Sequence, residues 1–191
     1  MPDAKKNIYL IGPMGSGKTT IGYRLAQKFG MSFYDSDQEI ETQTGASVSL
    51  IFEIEGEAGF RQRETRMLQR FSMLEGVLVA TGGGAIIDQA NRDLLRSSGI
   101  VVYLRTSIDQ QLERLGRDRS RPLLQTPDKH CKLLELAQNR NPLYEQTADL
   151  IFPAKNRNID STVNQIYQAI CSYRDPTGTE SHDPNNASSG S

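Results

Sequence analysis

Patterned cysteines, long apolar runs and an excess of one charge are all missing from this sequence. Its two cysteines, Cys131 and Cys171, lack the Cys-x-x-Cys spacing of metal and redox sites, so we interpret them as reduced and structural. His130 beside Cys131 is too little for a metal site. Because the formal net charge is -1, we expect no general electrostatic affinity for nucleic acid.

Segments that enter a membrane are missing as well. No apolar stretch reaches the roughly 18 to 20 residues that span a bilayer. The first residues, MPDAKKNIYLIG, lack the apolar region and the cleavage site of a signal peptide. No apolar stripe remains beyond what a core needs. We therefore expect a cytoplasmic monomer that binds neither nucleic acid nor membrane.

The sequence does contain an alternation of short apolar runs and segments of helical spacing. The runs are NIYLIG (7–12), a weaker SFYDSD (32–37), VLVAT (77–81), IVVYL (100–104) and DLIF (149–152). They are mostly β-branched or aromatic and nearly continuous, as in strands buried on both faces of a parallel sheet. Helical spacing follows at Ile21, Leu25, Ala26 and Phe29; at Ile51 and Phe52; at Ile108, Leu112 and Leu115; and at Ile159, Val163, Ile166, Tyr167 and Ile170. The alternation predicts an α/β fold that binds ligands at the carboxyl ends of its strands.

The length predicts one domain with a tail. A chain of 191 residues can bury a sizeable core. From Asp175 onward the sequence has almost no apolar residue and is dense in Pro, Gly, Ser and Asn, which predicts disorder over 175–191. We expect one domain over 1–174, folded from about Lys5 to Arg174.

The stretch GPMGSGKTTIG, which begins at Gly12, follows the first apolar run and matches the phosphate-binding loop pattern in full. Its glycines let backbone N–H groups turn toward phosphates, and the next helix directs its positive end at the same charge. Lys18 would reach the β- and γ-phosphates, and Thr19 would place its hydroxyl on Mg²⁺. The alternative is a glycine-rich turn without a ligand, but such a match between a strand and a helix rarely arises by chance.

Two carboxylates follow the weak strand, in YDSD. In an extended backbone Asp35 and Asp37 point to the same side, toward the phosphate loop. One could assist Mg²⁺ through water, and the other could orient an attacking hydroxyl or accept its proton. The alternative is that Ser36 or Asp37 only caps the helix QEIETQTG.

The strand VLVAT ends in Thr81 and the glycine run Gly82 to Gly84. Many phosphate-loop enzymes have a magnesium-binding Asp at this position, so its absence shifts the carboxylate role toward Asp35. Three glycines in a row allow backbone to come very close to a small ligand. A plain tight turn is the alternative, although glycine is entropically costly there.

Arginines occur in three motifs, of which the first two hold more than one. They are Arg61 and Arg63, then Arg117, Arg119 and Arg121, then Arg140 alone. Most isolated arginines are solvated surface charges, yet their planar fork suits carboxylates and phosphates. The second motif lies in the polar segment 116–128, which contains two prolines. This composition predicts a mobile lid that could carry an arginine onto the transferring phosphate. An ordinary flexible loop is the alternative.

Together these motifs resemble shikimate kinases. GPMGSGKTTIG, FYDSD, GEAGFRQRE, ATGGG, RPLL and RNPLY occur in the order and at the spacing of that family, over about 5–174. The resemblance implies a three-layer αβα phosphate-loop fold of the nucleoside-monophosphate-kinase type, with a five-stranded parallel sheet and a mobile lid. It also implies that ATP phosphorylates the 3-hydroxyl of shikimate, in chorismate and aromatic amino acid biosynthesis.

On the acceptor side, the resemblance implies that Asp37 contacts the reacting hydroxyl as base or orienting group. Arg61 and Arg140 would clamp the shikimate carboxylate. The acceptor would also meet the glycine run, Gly82, Gly83 and Gly84, with Gly83 meeting the ring through its backbone.

On the nucleotide side, the resemblance implies that the phosphates are wrapped by Gly15, Ser16, Gly17, Lys18, Thr19 and Thr20. Lys18 and the lid residue Arg121 would act on the transferring phosphate, while Thr19 would bind Mg²⁺ and Asp35 would hold it through water. Arg114 and Arg157 would lie near the adenine, although Arg117 or Arg119 could take either place.

Two other functions stay open. One is a related kinase for another hydroxy acid such as gluconate, against which the FRxxE and TGGG motifs argue. The other is a regulatory nucleotide-binding protein without acceptor chemistry. Such a protein would have no need of Asp37, Arg61 and Arg140.

Overall fold

A computed structural model describes residues 6–115, 128–153 and 158–174. The elements in these ranges are β1 (Asn7–Ile11), α1 (Lys18–Phe29), β2 (Ser32–Asp35), α2 (Ser36–Thr44), α3 (Val48–Ser72), β3 (Val77–Ala80), α4 (Gln89–Ser98), β4 (Gly99–Arg105), α5 (Ile108–Leu115), α6 (Lys129–Thr147), β5 (Leu150–Pro153) and α7 (Ile159–Arg174). The predicted tail and lid lie outside the described residues, except for Asp128. Its carboxylate accepts a 2.9 Å hydrogen bond from the N–H of Cys131 and caps α6.

The five strands form one parallel sheet in the order β2-β3-β1-β4-β5. In the central strand β1, Leu10 pairs with Ala80 of β3 on one side and with Val102 of β4 on the other. Every residue of β1 is buried, as expected of a parallel sheet covered on both faces. All five predicted strands, including the weak one, are present, so the predicted α/β sheet is confirmed.

Two hydrophobic cores lie on opposite faces of the sheet. One contains Tyr9 and Val101 together with residues of α2, α3, α4 and α6. The other contains Leu10 and Val102 together with residues of α1 and α7. Adjacent strand residues point to opposite faces, so the sheet is the middle layer of the expected three-layer fold.

Two helices are not among those predicted from the sequence. The helix α4 is amphipathic and buries Asn91 and Leu95. The helix α6 buries four residues, of which Arg140 and Thr147 are polar, and it contains Pro142. Each helix buries one set of residues against the rest of the fold, and such packing supplies most of the stability of a helix in a protein.

The helix α3 is broken at Gly56. Its backbone there has φ +69° and ψ -179°, and a β-carbon at this position would meet no atom within 4 Å. Because this left-handed conformation suits glycine and few other residues, the break is encoded in the sequence. The second half of the helix, which carries Arg61 and Glu64, can therefore run in its own direction.

Two further features of the structure are the state of the two cysteines and the character of the helices with respect to a membrane. Cys131 is exposed and Cys171 is partly buried, and neither forms a disulfide. Among the described ranges, no helix combines the length and the apolar character needed to cross a bilayer.

Candidate active site

A cavity of about 390 Å³ lies at the carboxyl ends of the central strands. Of the residues predicted for a nucleotide or acceptor site, its lining includes Gly15, Gly17, Lys18, Thr19, Thr20, Asp35, Asp37, Gly83 and Arg114. The cavity also meets residues that sequence reasoning did not select, namely Met14, Gln38, Glu41, Ser47, Val48, Ser49, Thr81 and Leu115. Parallel strands bring their carboxyl ends to the same edge, which is why motifs far apart in sequence meet here.

The glycine-rich loop connects β1 to α1, as predicted. Gly15 and Gly17 have φ of +74° and +89°, a conformation that turns backbone N–H groups to one side. Gly17 is also the N-cap of α1 and, having no side chain, leaves the N–H groups of the first turn uncapped. The loop is therefore an anion-binding cradle.

The ammonium group of Lys18 lies across its own loop. It donates hydrogen bonds to the carbonyl oxygens of Gly12 and Pro13, at 2.8 and 2.9 Å, and to Ser16 Oγ at 3.4 Å. The positive charge is thus held at the mouth of the cradle. A phosphate that enters the cradle would meet this charge without a large movement of the side chain.

Asp35 joins three parts of the site. Its Oδ2 accepts a 2.7 Å hydrogen bond from the Thr19 hydroxyl, and its Oδ1 accepts from the N–H groups of Asp37 and Gln38 at 3.1 and 3.4 Å. The N-cap of α2 is therefore Asp35, and the alternative that Ser36 or Asp37 caps this helix is wrong.

The route by which Asp37 reaches the cavity also differs from the prediction. The strand β2 ends at Asp35 and α2 begins at Ser36, so Asp37 stands in the first turn of a helix and not in extended backbone. Both carboxylates nevertheless line the cavity, because the helix begins at its edge.

The pair Thr19 and Asp35 could hold a magnesium ion. A hydroxyl and a carboxylate supply the hard oxygen ligands that Mg²⁺ prefers. Among the described residues there is no group of three or more His, Cys, Asp or Glu side chains that could hold a metal. A magnesium ion at this pair would take its other ligands from water and phosphate, as is usual for Mg²⁺ at nucleotide sites.

Arg61 and Glu64 form an ion pair next to the glycine run. Arg61 Nη1 lies 2.7 Å from Glu64 Oε2, and Arg61 Nη2 lies 3.0 Å from Glu57 Oε1. A β-carbon at Gly84 would overlap the Arg61 guanidinium. Glycine is therefore required at position 84 for the guanidinium to lie flat against the run.

Glu64 is a buried carboxyl that the motif analysis missed as a functional residue. Its side chain is fully buried. Burial raises the pKa of Glu64 to about 7, which Arg61 opposes and the negative charge of Asp37 supports. Within the described part of the chain, Glu64 Oε1 has no hydrogen-bond partner. The available signal was its position three residues after Arg61, where helical side chains meet.

Gly82 lies between two carboxylates. A β-carbon there would overlap Glu64 Oε1 and would lie 2.8 Å from Asp37 Oδ1. The N–H of Gly82 donates a 2.8 Å hydrogen bond to Ser36 Oγ. These contacts place the acidic pair and the glycine run in one cluster, and they explain a glycine at position 82.

Arg140 lies on α6 and is 7% exposed. Its positive charge lowers the pKa of Glu64, so it shares the electrostatic environment of Arg61. Arg140 does not line the large cavity but a smaller one of about 10 Å³, with Tyr144. Tyr144, which the motif analysis also missed, donates a 2.5 Å hydrogen bond to the carbonyl of Gly83.

The remaining predicted arginines differ in their placement. Arg114 Nη1 donates a 2.7 Å hydrogen bond to the Gly15 carbonyl, so it lies beside the phosphate loop. Arg63 pairs with Glu55 at 2.6 Å, and both side chains are about one-third exposed, which makes this a surface ion pair. Four predicted arginines, Arg117, Arg119, Arg121 and Arg157, lie outside the described residues.

Known proteins resemble this chain over most of its length. A family model described as "Shikimate kinase" matches residues 14–171. The shikimate kinase of Haemophilus influenzae (strain PittEE) is 47% identical over 176 residues, which are 92% of this chain and 98% of the relative. The shikimate kinase of Pseudoalteromonas atlantica (strain T6c / ATCC BAA-1087) is 49% identical over 166 residues, which are 87% of this chain and 97% of the relative.

Solved structures resemble it as well. The structure of shikimate kinase from Acinetobacter baumannii in complex with shikimate has a TM-score of 0.87 and 46% identity, and the match covers 89% of this chain and 95% of that one. A gluconokinase from Sinorhizobium meliloti 1021 has a TM-score of 0.58 and 17% identity, over 93% of this chain and 98% of that one. The second similarity concerns the fold alone.

Proposed function

This chain belongs to the shikimate kinase family, and on that premise we propose that it transfers the γ-phosphoryl group of ATP to the 3-hydroxyl of shikimate. The products are shikimate 3-phosphate and ADP, in the route to chorismate and the aromatic amino acids. One observation carries the proposal: the phosphate loop, Asp37 and Gly83 line a single cavity. A phosphate donor and a small acceptor can therefore meet there.

The nucleotide phosphates bind in the loop from Gly15 to Thr20. Lys18 moves from its own loop carbonyls, which it contacts at 2.8 and 2.9 Å, to the β- and γ-phosphates. The uncapped N–H groups of α1 face the same charge. Arg114, held 2.7 Å from the Gly15 carbonyl, lies near the adenine at the edge of the loop.

Thr19, through its hydroxyl, and Asp35, through water, would hold the magnesium ion. When bound, it neutralises charge on the β- and γ-phosphate oxygens. The hydrogen bond of 2.7 Å between these two side chains supports the assignment, because the Thr19 hydroxyl oxygen and a carboxylate oxygen of Asp35 lie next to each other. This chain's part is to hold the two ligands there.

The acceptor binds between Asp37, the glycine run and two arginines, the buried Arg140 and the partly exposed Arg61. Asp37 orients the reacting hydroxyl or takes its proton. Arg61 and Arg140 clamp the carboxylate, which suits the planar fork of a guanidinium. Gly82, Gly83 and Gly84 meet the acceptor, with the Gly83 backbone against its ring. The charges support this: both arginines act on Glu64, so two cations lie close to the place proposed for an anion.

Other parts of the proposal concern residues that the structure does not describe. Arg121 brings a positive charge onto the transferring phosphate from the lid over 116–128, and Arg157 contacts the adenine. The catalytic domain spans 1–174, and removal of the tail over 175–191 should leave turnover intact if that tail is disordered. We propose that the protein acts as a cytoplasmic monomer on small molecules, without nucleic acid or membrane.

The test is ADP release with Mg²⁺ and ATP, measured in parallel with shikimate, gluconate and no acceptor. Release that depends on shikimate is the expected result. Release that depends on gluconate would show that the acceptor is gluconate and not shikimate, which is the alternative kinase activity left open by the sequence. ADP release that is indifferent to every acceptor would contradict the proposal, as would tight ATP binding without release.

A further inference from the structure

Tyr144 connects two parts of the site, and the inference drawn from it rests on the proposed function. The side chain is 1% exposed and stands one turn after Arg140 in α6. Its ring stacks on that of Tyr103 in β4, with centroids 4.9 Å apart and an angle of 20° between the planes. The stack fixes the ring, so the direction of the hydroxyl is fixed as well.

The hydroxyl reaches the middle of the glycine run. It donates to the carbonyl oxygen of Gly83, 61 residues earlier in the chain, at 2.5 Å. Burial raises the pKa of the Tyr144 hydroxyl, and the positive charge of Arg140 opposes this. The carbonyl can only accept, so the proton lies on the tyrosine and points at Gly83.

The phosphate loop meets the same peptide group. A β-carbon at Gly83 would lie 3.5 Å from Gly12 O and from Met14 N, and 3.6 Å from the Tyr144 hydroxyl oxygen. The cavity that Met14, Arg140 and Tyr144 line has a volume of about 10 Å³, which holds one water at most. Three segments therefore meet at one point with little space between them, and a shift of the hydroxyl would be passed on to Gly83.

Other hydrogen bonds of the glycine run lead to different elements. The N–H of Gly82 donates to Ser36 Oγ at 2.8 Å, toward α2. The carbonyl of Gly84 accepts from the N–H of Ile87 at 3.0 Å, within the same loop. The bond from Tyr144 ties the run to α6, the helix that carries Arg140.

We propose that the Tyr144 hydroxyl is a positioning group that sets the separation between the Arg140 guanidinium and the Gly83 backbone. A small rigid acceptor touches both, through its carboxylate and its ring. An error of an ångström in their separation weakens binding, because both contacts cannot then be made together. The hydroxyl thus determines affinity for the acceptor and has little effect on affinity for ATP.

The experiment compares Tyr144→Phe with Tyr103→Phe in the full chain. The first change removes the hydroxyl bonded to Gly83 and keeps the stacked ring. The control removes the other hydroxyl of the stack, which donates at 3.4 Å to Asn141 of the same helix. We expect Tyr144→Phe to raise the KM for shikimate roughly tenfold, with kcat and the KM for ATP changed less than about twofold. Tyr103→Phe should leave all three constants unchanged.

A double-mutant cycle with Arg140→Lys tests the proposed link. If Tyr144 acts by placing Arg140, the two changes are not additive in the KM for shikimate. Additive effects would overturn the proposal, as would equal increases in the KM values for shikimate and ATP or an effect of Tyr103→Phe as large as that of Tyr144→Phe. A Tyr144→Phe chain that does not fold would show a structural role and would also overturn it.

Hydrogen exchange on the unchanged chain provides a measurement that needs no variant. Adding shikimate should slow amide exchange in peptides from both the glycine run and the second half of α6. Protection of the glycine run alone would contradict the coupling. A chain whose ADP release does not depend on shikimate overturns the proposed function, whereas shikimate-dependent release with an unchanged KM in Tyr144→Phe overturns this inference alone.

Discussion

The Thr19 hydroxyl donates a 2.7 Å hydrogen bond to Asp35 Oδ2, which joins the first turn of α1 to the end of β2. The same carboxylate caps α2 through its other oxygen. One side chain thus links the phosphate loop, a strand end and the helix that carries Asp37. Its two oxygens have separate tasks, so their contributions can be separated by substitution.

Asp35→Asn should weaken the response to magnesium and leave the fold nearly unchanged. Asparagine caps helices about as well as aspartate, but it has no charge to hold a hydrated Mg²⁺. We expect the Mg²⁺ concentration for half-maximal activity to rise roughly tenfold, the effect of about 1.4 kcal/mol at 25 °C, with little change in melting temperature. Asp35→Ala loses the cap as well and should lose about 1 kcal/mol of stability. An unchanged Mg²⁺ titration of Asp35→Asn would remove Asp35 from the metal site.

Asp37→Asn should retain ATP binding and lose turnover. A base or orienting carboxylate contributes roughly 10² to 10⁴ in rate, so kcat should fall by that factor, while the Kd for ATP measured by calorimetry stays the same. The matched control is Glu39→Gln, two residues later in α2, which loses the same charge outside the cavity lining. Near-normal turnover of Asp37→Asn would exclude the proposed role.

Gly83→Ala should fold normally and bind shikimate poorly. A β-carbon there would lie no closer than 3.5 Å to the nearest protein atoms, and the backbone has no positive φ. A ring that lies against this backbone would collide with the methyl group. We expect a melting temperature within about 2 °C and a KM for shikimate raised at least tenfold, since steric exclusion from a tight site exceeds roughly 1.4 kcal/mol.

Gly84→Ala is the variant with which the stability and the shikimate affinity of Gly83→Ala are compared. A methyl group at this position would overlap the Arg61 guanidinium, so thermal stability and shikimate affinity should fall together. An unchanged KM for shikimate in Gly83→Ala would place the acceptor away from the run.

Stability should fall as pH rises because of Glu64. Burial raises its pKa from 4.5 to about 7, so between these values the folded protein binds more protons than the unfolded chain does. The contribution of Glu64 to the free energy of unfolding therefore decreases by up to roughly 3 kcal/mol between pH 4.5 and pH 7. Above pH 7 it is constant. Urea unfolding of Glu64→Gln should lack this decrease, because glutamine does not titrate.

The control for the pH measurement is Glu57→Gln. Glu57 pairs with the same arginine from an exposed position, and its replacement keeps the buried carboxyl. The variant should retain the pH dependence of the original chain. If Glu64→Gln and the original chain gave parallel curves from pH 4.5 to pH 7, the pKa of Glu64 would not be raised.

Local patterns were sufficient for the sheet and the phosphate loop. A buried strand needs a run of β-branched or aromatic residues, and the phosphate cradle needs glycines followed by Lys18 and Thr19 within one short segment. Each of these requirements involves neighbours in sequence. For that reason the five strands and the position of the loop between β1 and α1 could be predicted.

Contacts between distant residues required the tertiary structure. Whether Glu64 is buried depends on what packs around it, and the hydrogen bond from Tyr144 to Gly83 spans 61 residues. Of the two buried polar residues of α6, Thr147 donates a hydrogen bond to the Leu143 carbonyl of the same helix, whereas Arg140 acts on Glu64 of α3, far away in sequence. The N-cap of α2 moved to Asp35 because β2 ends there, and strand ends are set by pairing with a neighbour rather than by the local sequence. The motifs thus indicated which residues take part in the chemistry, whereas long-range packing decided their distances, their burial and the pKa of Glu64.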